Sequence, residues 1–230
     1  MDPRFSALTT AHVADGCIRA GVPVRCGPAG LRAVVPGDRV AGRVAPVRHV
    51  GSVDVFLEAY ESAAPGDVLV VDNGGRLDES CVGDLAVLEA KTAGLAGAVI
   101  WGLHRDTADV RAIGLPVFSL GSLPTGPLRL DPRPDGALES AQVGPWRVTR
   151  DDLVFGDEDG VLFVPLTRLP EVLDHAERIR DTERAQADRI RAGETLRGQL
   201  RFAEFLERRA TQPDWTLRDH LRHIGGAIEV

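Results

Sequence analysis

Lysine is almost missing from this chain. Lys91 is the only one, and the remaining basic residues are arginine. A Schiff-base mechanism has therefore a single candidate, and Lys91 falls in mid-helix by its pattern, a poor place for a nucleophile. Cysteine is also scarce. Cys17, Cys26 and Cys81 make an odd set with no CxxC spacing. That argues against a disulfide framework or a structural zinc site and fits a reducing cytosol. Cys81 has no identifiable histidine partner, so a thiol nucleophile would lack its base. No apolar run approaches the roughly 20 residues of a membrane span. The first residues, MDPRFSALTTAHVADG, lack the basic, apolar and small-residue order of a signal peptide, and a cytoplasmic location is expected. Basic charge is not in excess either. The net charge of −7 argues against nucleic acid or an anionic membrane as main partner. A Gly-x-Gly-x-x-Gly loop is missing too. Asn73-Gly74-Gly75 does not supply it, so no dinucleotide cofactor is expected.

What is present fits an ordinary folded domain. The chain has 230 residues, 43% hydrophobic and 27% charged, enough for one sizeable core with an appendage. Residues 8–20 read as a helix capped at Thr9 or Thr10, with Asp15 a solvated or capping carboxylate. Strands are expected around 31–35 and 39–48, separated by the Pro36-Gly37-Asp38 turn. Val53, Phe56, Leu57 and Tyr60 give a helix over 53–63 its expected buried face. Val68-Leu69-Val70-Val71 is apolar without alternation, as a strand covered on both faces should be. A helix from Asp84 to Ala93 follows, with Leu85, Leu88 and Thr92 in helical period. Then come a strand at 97–102, a short helix at 107–113 and a strand at 115–118. That β-α-β-α-β order implies right-handed crossovers and a parallel layer. A Pro-rich connector follows Gly121. Hairpin strands are expected over 142–165, turning at Gly156-Asp157-Glu158-Asp159-Gly160. That turn mimics part of a calcium loop but lacks its terminal Glu. Residues 167–230 form a charged helical arm and tail, helical to about Arg191 and again over 195–209. His220 and His223 share a face there without a third metal ligand.

The stretch VGDLAVLEAKTAGLAGAVIWGLHRD holds the candidate chemistry. Asp84 opens a helix after a glycine. It can be a plain N-cap, or the backbone of Gly83, Asp84, Leu85 and Ala86 can hold an anion at the helix's positive end. Arg105-Asp106 lies just past a buried strand, where ligands gather in open α/β sheets. If the strands at 68–72 and 97–102 are neighbours, both corners open onto one crevice. Arginine suits a carboxylate, and aspartate suits a hard divalent ion that keeps its waters. A surface Arg–Asp pair is the simpler alternative. His104 reads as a structural or exposed histidine.

Those residues carry a resemblance. LTTAHVADGCIRAG, AGRVAPV, APGDVLVVDNGG, the stretch above, GLPVFSLG and DEDGVLFVP resemble the RraA-like family. That family contains class II 4-hydroxy-4-methyl-2-oxoglutarate/4-carboxy-4-hydroxy-2-oxoadipate aldolases and the RraA regulators of ribonuclease E. Its metal-dependent members carry Gly-Asp, twenty residues, then Arg-Asp; here these are Gly83-Asp84, residues 85 to 104, and Arg105-Asp106. The resemblance implies an α/β fold, a layered β/β/α swivelling-type domain with a parallel sheet core and a C-terminal helical arm. It implies that Asp106 ligates Mg²⁺ or Mn²⁺. Arg105 would bind the 2-keto acid and stabilise the pyruvate enolate, the Gly83–Ala86 backbone would hold the C1 carboxylate, and Asp84 would orient metal-bound water. A glutamate from a neighbouring subunit, here Glu183, would complete the site in a homotrimer or hexamer. Retro-aldol cleavage and oxaloacetate decarboxylation both follow from such an enolate. The alternative is a non-catalytic regulator that binds an RNA-processing enzyme.

Overall fold

The computed structural model describes residues 3–225. In chain order it contains α1 (Thr10–Arg19), β1 (Arg25–Cys26), β2 (Arg32–Ala33), β3 (Val40–Arg48), α2 (Asp54–Ser62) and β4 (Val68–Asp72). Next come β5 (Ser80–Val82), α3 (Asp84–Thr92), β6 (Gly97–Trp101), β7 (Leu103–His104), α4 (Thr107–Ile113) and β8 (Val117–Ser119). The chain continues with β9 (Ser140–Val143), β10 (Trp146–Thr149), β11 (Asp152–Asp157), β12 (Gly160–Pro165), α5 (Leu169–Arg191), α6 (Leu196–Gln199), α7 (Phe202–Thr211) and α8 (Leu217–Ile224).

Eight strands form one mixed sheet in the order β1-β12-β11-β3-β4-β6-β8-β2. Its centre is the parallel run β3-β4-β6-β8. Antiparallel β11, β12 and β1 extend one edge, and β2 closes the other. β4 is buried along its whole length, as its unbroken apolar run requires. The sheet curls until β2 meets β11 and β12. Gly156 on β11 shows how tight the curl is, because a Cβ there would lie 2.9 Å from the Phe118 ring on β8.

The curl creates an interior, filled by Val44, Val70, Val99, Phe118, Val154 and Phe163 together with the β9–β10 hairpin. Helices α2, α3 and α4 cover the outer face of the parallel strands through Phe56, Val87, Ala90 and Val110. Helices α1 and α5 cover the antiparallel edge through Val13, Cys17, Val172, Leu173 and Ala176. The α/β class, the parallel core and the helical C-terminal region are therefore as expected.

Several local expectations need correction. The face of α2 is rotated: Val55, Phe56, Ala59 and Tyr60 are buried, whereas Val53 and Leu57 are 54% and 50% exposed. In α3 the buried residues are Val87 and Ala90, and Leu85 and Leu88 are 75% and 48% exposed. The strand expected at 31–35 shrinks to Arg32–Ala33. The helix expected at 195–209 breaks at Arg201, whose left-handed φ of 46° separates α6 from α7. Asp15 lies inside α1, as expected, but is partly buried there and caps nothing. The residues after Gly225 lie outside those described.

The Asp157-to-Gly160 turn is a hairpin, as expected, with a use the sequence did not disclose. Asp157 accepts hydrogen bonds from the backbone N–H of Thr10 (2.7 Å) and from its hydroxyl (2.6 Å). The turn thereby anchors the first residue of α1. Gly16 lets α1 lie directly on α5, since a Cβ there would lie 2.4 Å from the Val172 carbonyl oxygen.

Candidate active site

Two chain corners meet at the carboxyl end of the parallel layer. β4 and β6 are parallel neighbours, so the loops that follow them share one edge of the sheet. A second, smaller ladder fixes the corners. β5 pairs with β7 in parallel, and the Arg105 N–H donates to the Val82 carbonyl at 2.9 Å. β5 runs directly into Gly83 and α3; β7 runs directly into Arg105 and Asp106. The sequence reading missed this ladder because strands of two or three residues leave no periodic signal.

Gly83 is the N-cap of α3, with extended backbone (φ −124°), and no side chain caps that helix. Asp84 is therefore not a cap but the first helical residue. The first-turn N–H groups, unpaired within any helix, keep their hydrogen-bonding capacity. Tyr60 holds this turn from behind, its hydroxyl donating to the Ala86 carbonyl at 2.8 Å. Burial, with Glu89 nearby, pushes the Tyr60 phenol upward, so it remains a donor at neutral pH.

Asp106 takes the N-cap position of α4, yet its carboxylate does not cap it. Its φ of 57° is left-handed, a conformation uncommon outside glycine and asparagine or aspartate. The carboxylate instead sits beside Gly83, where a Cβ would lie 2.6 Å from Asp106 Oδ2 and 3.1 Å from Arg105 Nε. Arg105 Nε and Asp106 Oδ2 are 3.3 Å apart, with side chains 46% and 37% exposed. An ion pair that exposed is worth less than about 1 kcal/mol, so a ligand can replace it cheaply.

His104 braces the corner. Its ring contacts the Ser119 hydroxyl at 2.8 Å and the Thr107 hydroxyl at 2.9 Å. It is buried, not exposed, and burial lowers its pKa, which keeps it neutral. Cys81 is buried as well. Burial, with the Glu79 charge, pushes its thiol up to about 12, which makes it a poor nucleophile.

The Pro-rich connector after Gly121 forms one wall. Its Gly126 faces Arg105, where a Cβ would lie 3.0 Å from Nη1. A buried carboxylate pins this wall. Glu79 is fully buried and accepts from the Leu128 N–H (2.8 Å) and from Arg129 Nε (3.2 Å). Arg76 approaches the same carboxylate at 3.1 Å. Arg129 also donates to the His49 carbonyl and to Asn73 Oδ1. Burial alone would raise the Glu79 pKa, but these donors outweigh it and the net shift is downward. Sequence reasoning missed Glu79, Arg129 and His49, and read Asn73 only as part of a loop. The only local trace is a carboxylate directly before the buried Ser80–Val82 strand.

Glu183 does not join this corner within the described contacts of one chain. It lies on α5 and pairs with His12 of α1 at 3.1 Å, its side chain 55% exposed. His220 is a buried helix contact to the Leu200 carbonyl, and His223 lies edge-on to Trp215. Lys91 reaches the Ile113 carbonyl from the surface of α3.

Among the described residues no three His, Cys, Asp or Glu side chains converge. The donor set is one partly exposed carboxylate, Asp106, with its backbone twisted to present it. That suits a hard ion that retains most of its waters, and not a closed imidazole or thiolate site.

The fold defines an α/β domain of the layered type in which the starts of α3 and α4 meet at one exposed edge of the parallel strands. A family profile described as RraA-like, Aldolase/RraA, matches residues 10–163, and the chain belongs to that family. A relative in Halalkalibacterium halodurans, named "Putative 4-hydroxy-4-methyl-2-oxoglutarate aldolase", is 32% identical over 67% of this chain and 75% of its own length. An uncharacterised Methanocaldococcus jannaschii protein is 34% identical, with the match spanning 55% of this chain and only 60% of that relative. Among solved structures, Streptomyces coelicolor RraAS2, described as an unusual member of the RNase ES inhibitor RraA family, superposes with a TM-score of 0.69. Its identity is 27%, over 81% of this chain and 96% of that one. Among the described residues no helix is long and apolar enough to cross a membrane.

Proposed function

We propose that this protein is a divalent-metal-dependent lyase that cleaves or decarboxylates 2-keto acids to release pyruvate. The observation that carries the reading is the meeting at Gly83. There an uncapped helix start, a guanidinium and a strained, non-capping carboxylate share one exposed edge. Relatives named as aldolases support the same class. The first-turn N–H groups of Gly83, Asp84, Leu85 and Ala86 would take the substrate's C1 carboxylate. Arg105 would release Asp106 and donate to the keto-acid end, where negative charge grows as the carbon–carbon bond breaks. Asp106 would hold Mg²⁺ or Mn²⁺, and Asp84 would orient a water at the same edge. The ion, when bound, supplies Lewis-acid polarisation of the keto oxygen. Glu183 would come from a neighbouring copy. The exposed Leu57, Leu85 and Leu88 on α2 and α3 offer apolar surface for such self-association into a trimer or hexamer.

The test is pyruvate release from oxaloacetate and from 4-hydroxy-4-methyl-2-oxoglutarate, with and without EDTA. Metal-dependent release is expected, and Asp106→Ala should abolish it while leaving assembly intact. Saturating substrate and metal with no pyruvate from either acid would overturn the reading for both.

The likeness to Streptomyces RraAS2 favours a second reading, a regulator that binds an RNA-processing enzyme. In that case the purified chain would slow ribonuclease E cleavage, and Asp106→Ala would slow it equally well.

A further inference from the structure

We propose that His12 is a positioning residue for Glu183, and through it for the site that Glu183 serves on a neighbouring copy. The proposal rests on the lyase reading above. His12 occupies the third helical position of α1, where a capping-box residue returns its side chain to the N-cap. Here the Thr9 backbone N–H donates to His12 Nδ1 at 3.0 Å. A ring nitrogen that accepts carries no proton, so the neutral ring holds its proton on Nε2. That nitrogen lies 3.1 Å from Glu183 Oε2. The helix cap therefore selects the tautomer, and the tautomer selects the carboxylate orientation. A backbone group thus fixes an imidazole, and the imidazole fixes a carboxylate.

The surroundings make the arrangement stiff at its base. α1 is anchored at Thr10 by Asp157, and Gly16 seats it directly on α5. The His12 side chain is only 17% exposed, whereas Glu183 is 55% exposed. A half-buried donor thus presents a more exposed carboxylate outward. Asp15, one turn along α1, is raised by its own burial and then by the Glu183 charge, so the two carboxylates feel each other. Without the His12 donor, Glu183 would meet a like charge and swing away from α1.

The simpler alternative is that His12 only caps α1. Two variants separate the roles. His12→Gln keeps an acceptor for Thr9 and an amide N–H for Glu183. His12→Glu keeps the capping box but sets a carboxylate against Glu183. Pyruvate release by the metal-loaded full chain is measured, with thermal midpoints. His12→Gln should stay within about threefold of wild-type kcat. His12→Glu should lose about tenfold or more in kcat with little change in KM, at a thermal midpoint close to that of His12→Gln. In a Glu183→Gln background, the His12→Glu change should cost almost nothing further in kcat. Ring ¹⁵N shifts at pH 8 should show protonated Nε2. Equal kcat for both His12 variants, or a neutral ring protonated at Nδ1, would overturn the proposal while leaving the lyase reading standing. An inactive wild-type chain would overturn both.

Discussion

Replacing Gly83 by alanine tests the geometry of the corner more directly than removing either charged group. Its φ of −124° is open to any residue, so backbone strain is not introduced. The objection is local. The new methyl would lie 2.6 Å from Asp106 Oδ2, 3.1 Å from Arg105 Nε and 3.3 Å from Arg105 Cγ. Carbon and oxygen in contact rest near about 3.5 Å, so Asp106 must yield by roughly an ångström. Displacing a reacting group by that distance costs on the order of 10²-fold in rate, or about 2.7 kcal/mol in the barrier. Stability should change far less. The groups that move are the ends of partly exposed side chains, and glycine-to-alanine at an N-cap costs less than about 1 kcal/mol. The assay is kcat/KM for metal-dependent pyruvate release, paired with urea unfolding. Near-wild-type kcat/KM in a folded Gly83→Ala variant would refute the claim that Gly83 exists to bring Asp106 and Arg105 against the start of α3.

Other expectations follow from the same contacts. Asp106→Asn should keep the left-handed backbone and lose turnover about 10²- to 10³-fold, measured against an unchanged circular dichroism spectrum. Gly16→Ala should cost about 1–3 kcal/mol in urea unfolding, because the α1–α5 contact has no room for a methyl. His49 and His104 have pKa values pushed below the unfolded 6.5 by burial. The unfolded chain therefore binds more protons as pH falls below about 6.5, and stability present above that pH is lost toward the lower folded values. Urea midpoints at pH 7.5 and 5.5 should show this fall, and the double variant His49→Gln, His104→Gln should flatten it.

The parallel core and the motif were legible because their signals are local. Val68–Val71 is an uninterrupted apolar run, and the Gly83-Asp84 to Arg105-Asp106 spacing spans one helix and one strand. The buried faces of α2 and α3 were not. Leu57, Leu85 and Leu88 keep helical period, but hydrophobicity alone does not say whether the chain's own sheet or another surface covers them. The sheet placed Val55, Ala59, Val87 and Ala90 inward, because small residues allow close helix–sheet approach. The wall around Glu79 and Arg129 was illegible for a different reason. It joins residues about fifty positions apart through one backbone N–H and one guanidinium that donate to the same carboxylate, and Glu79 alone does not say which distant residues it meets.

The left-handed backbone of Asp106 bears on how such a chain can change over generations. Asparagine or glycine at this position would accept the same φ, so the carboxylate can be lost in one step without rebuilding the turn. Arg105, the α3 start and the connector wall would all stay in place. Under the proposed function, a descendant without the Asp106 carboxylate would keep the same exposed edge, with Arg105 released from its ion pair. For this architecture, losing the reaction and keeping the shape are independent events, which leaves the surface available for a different kind of work.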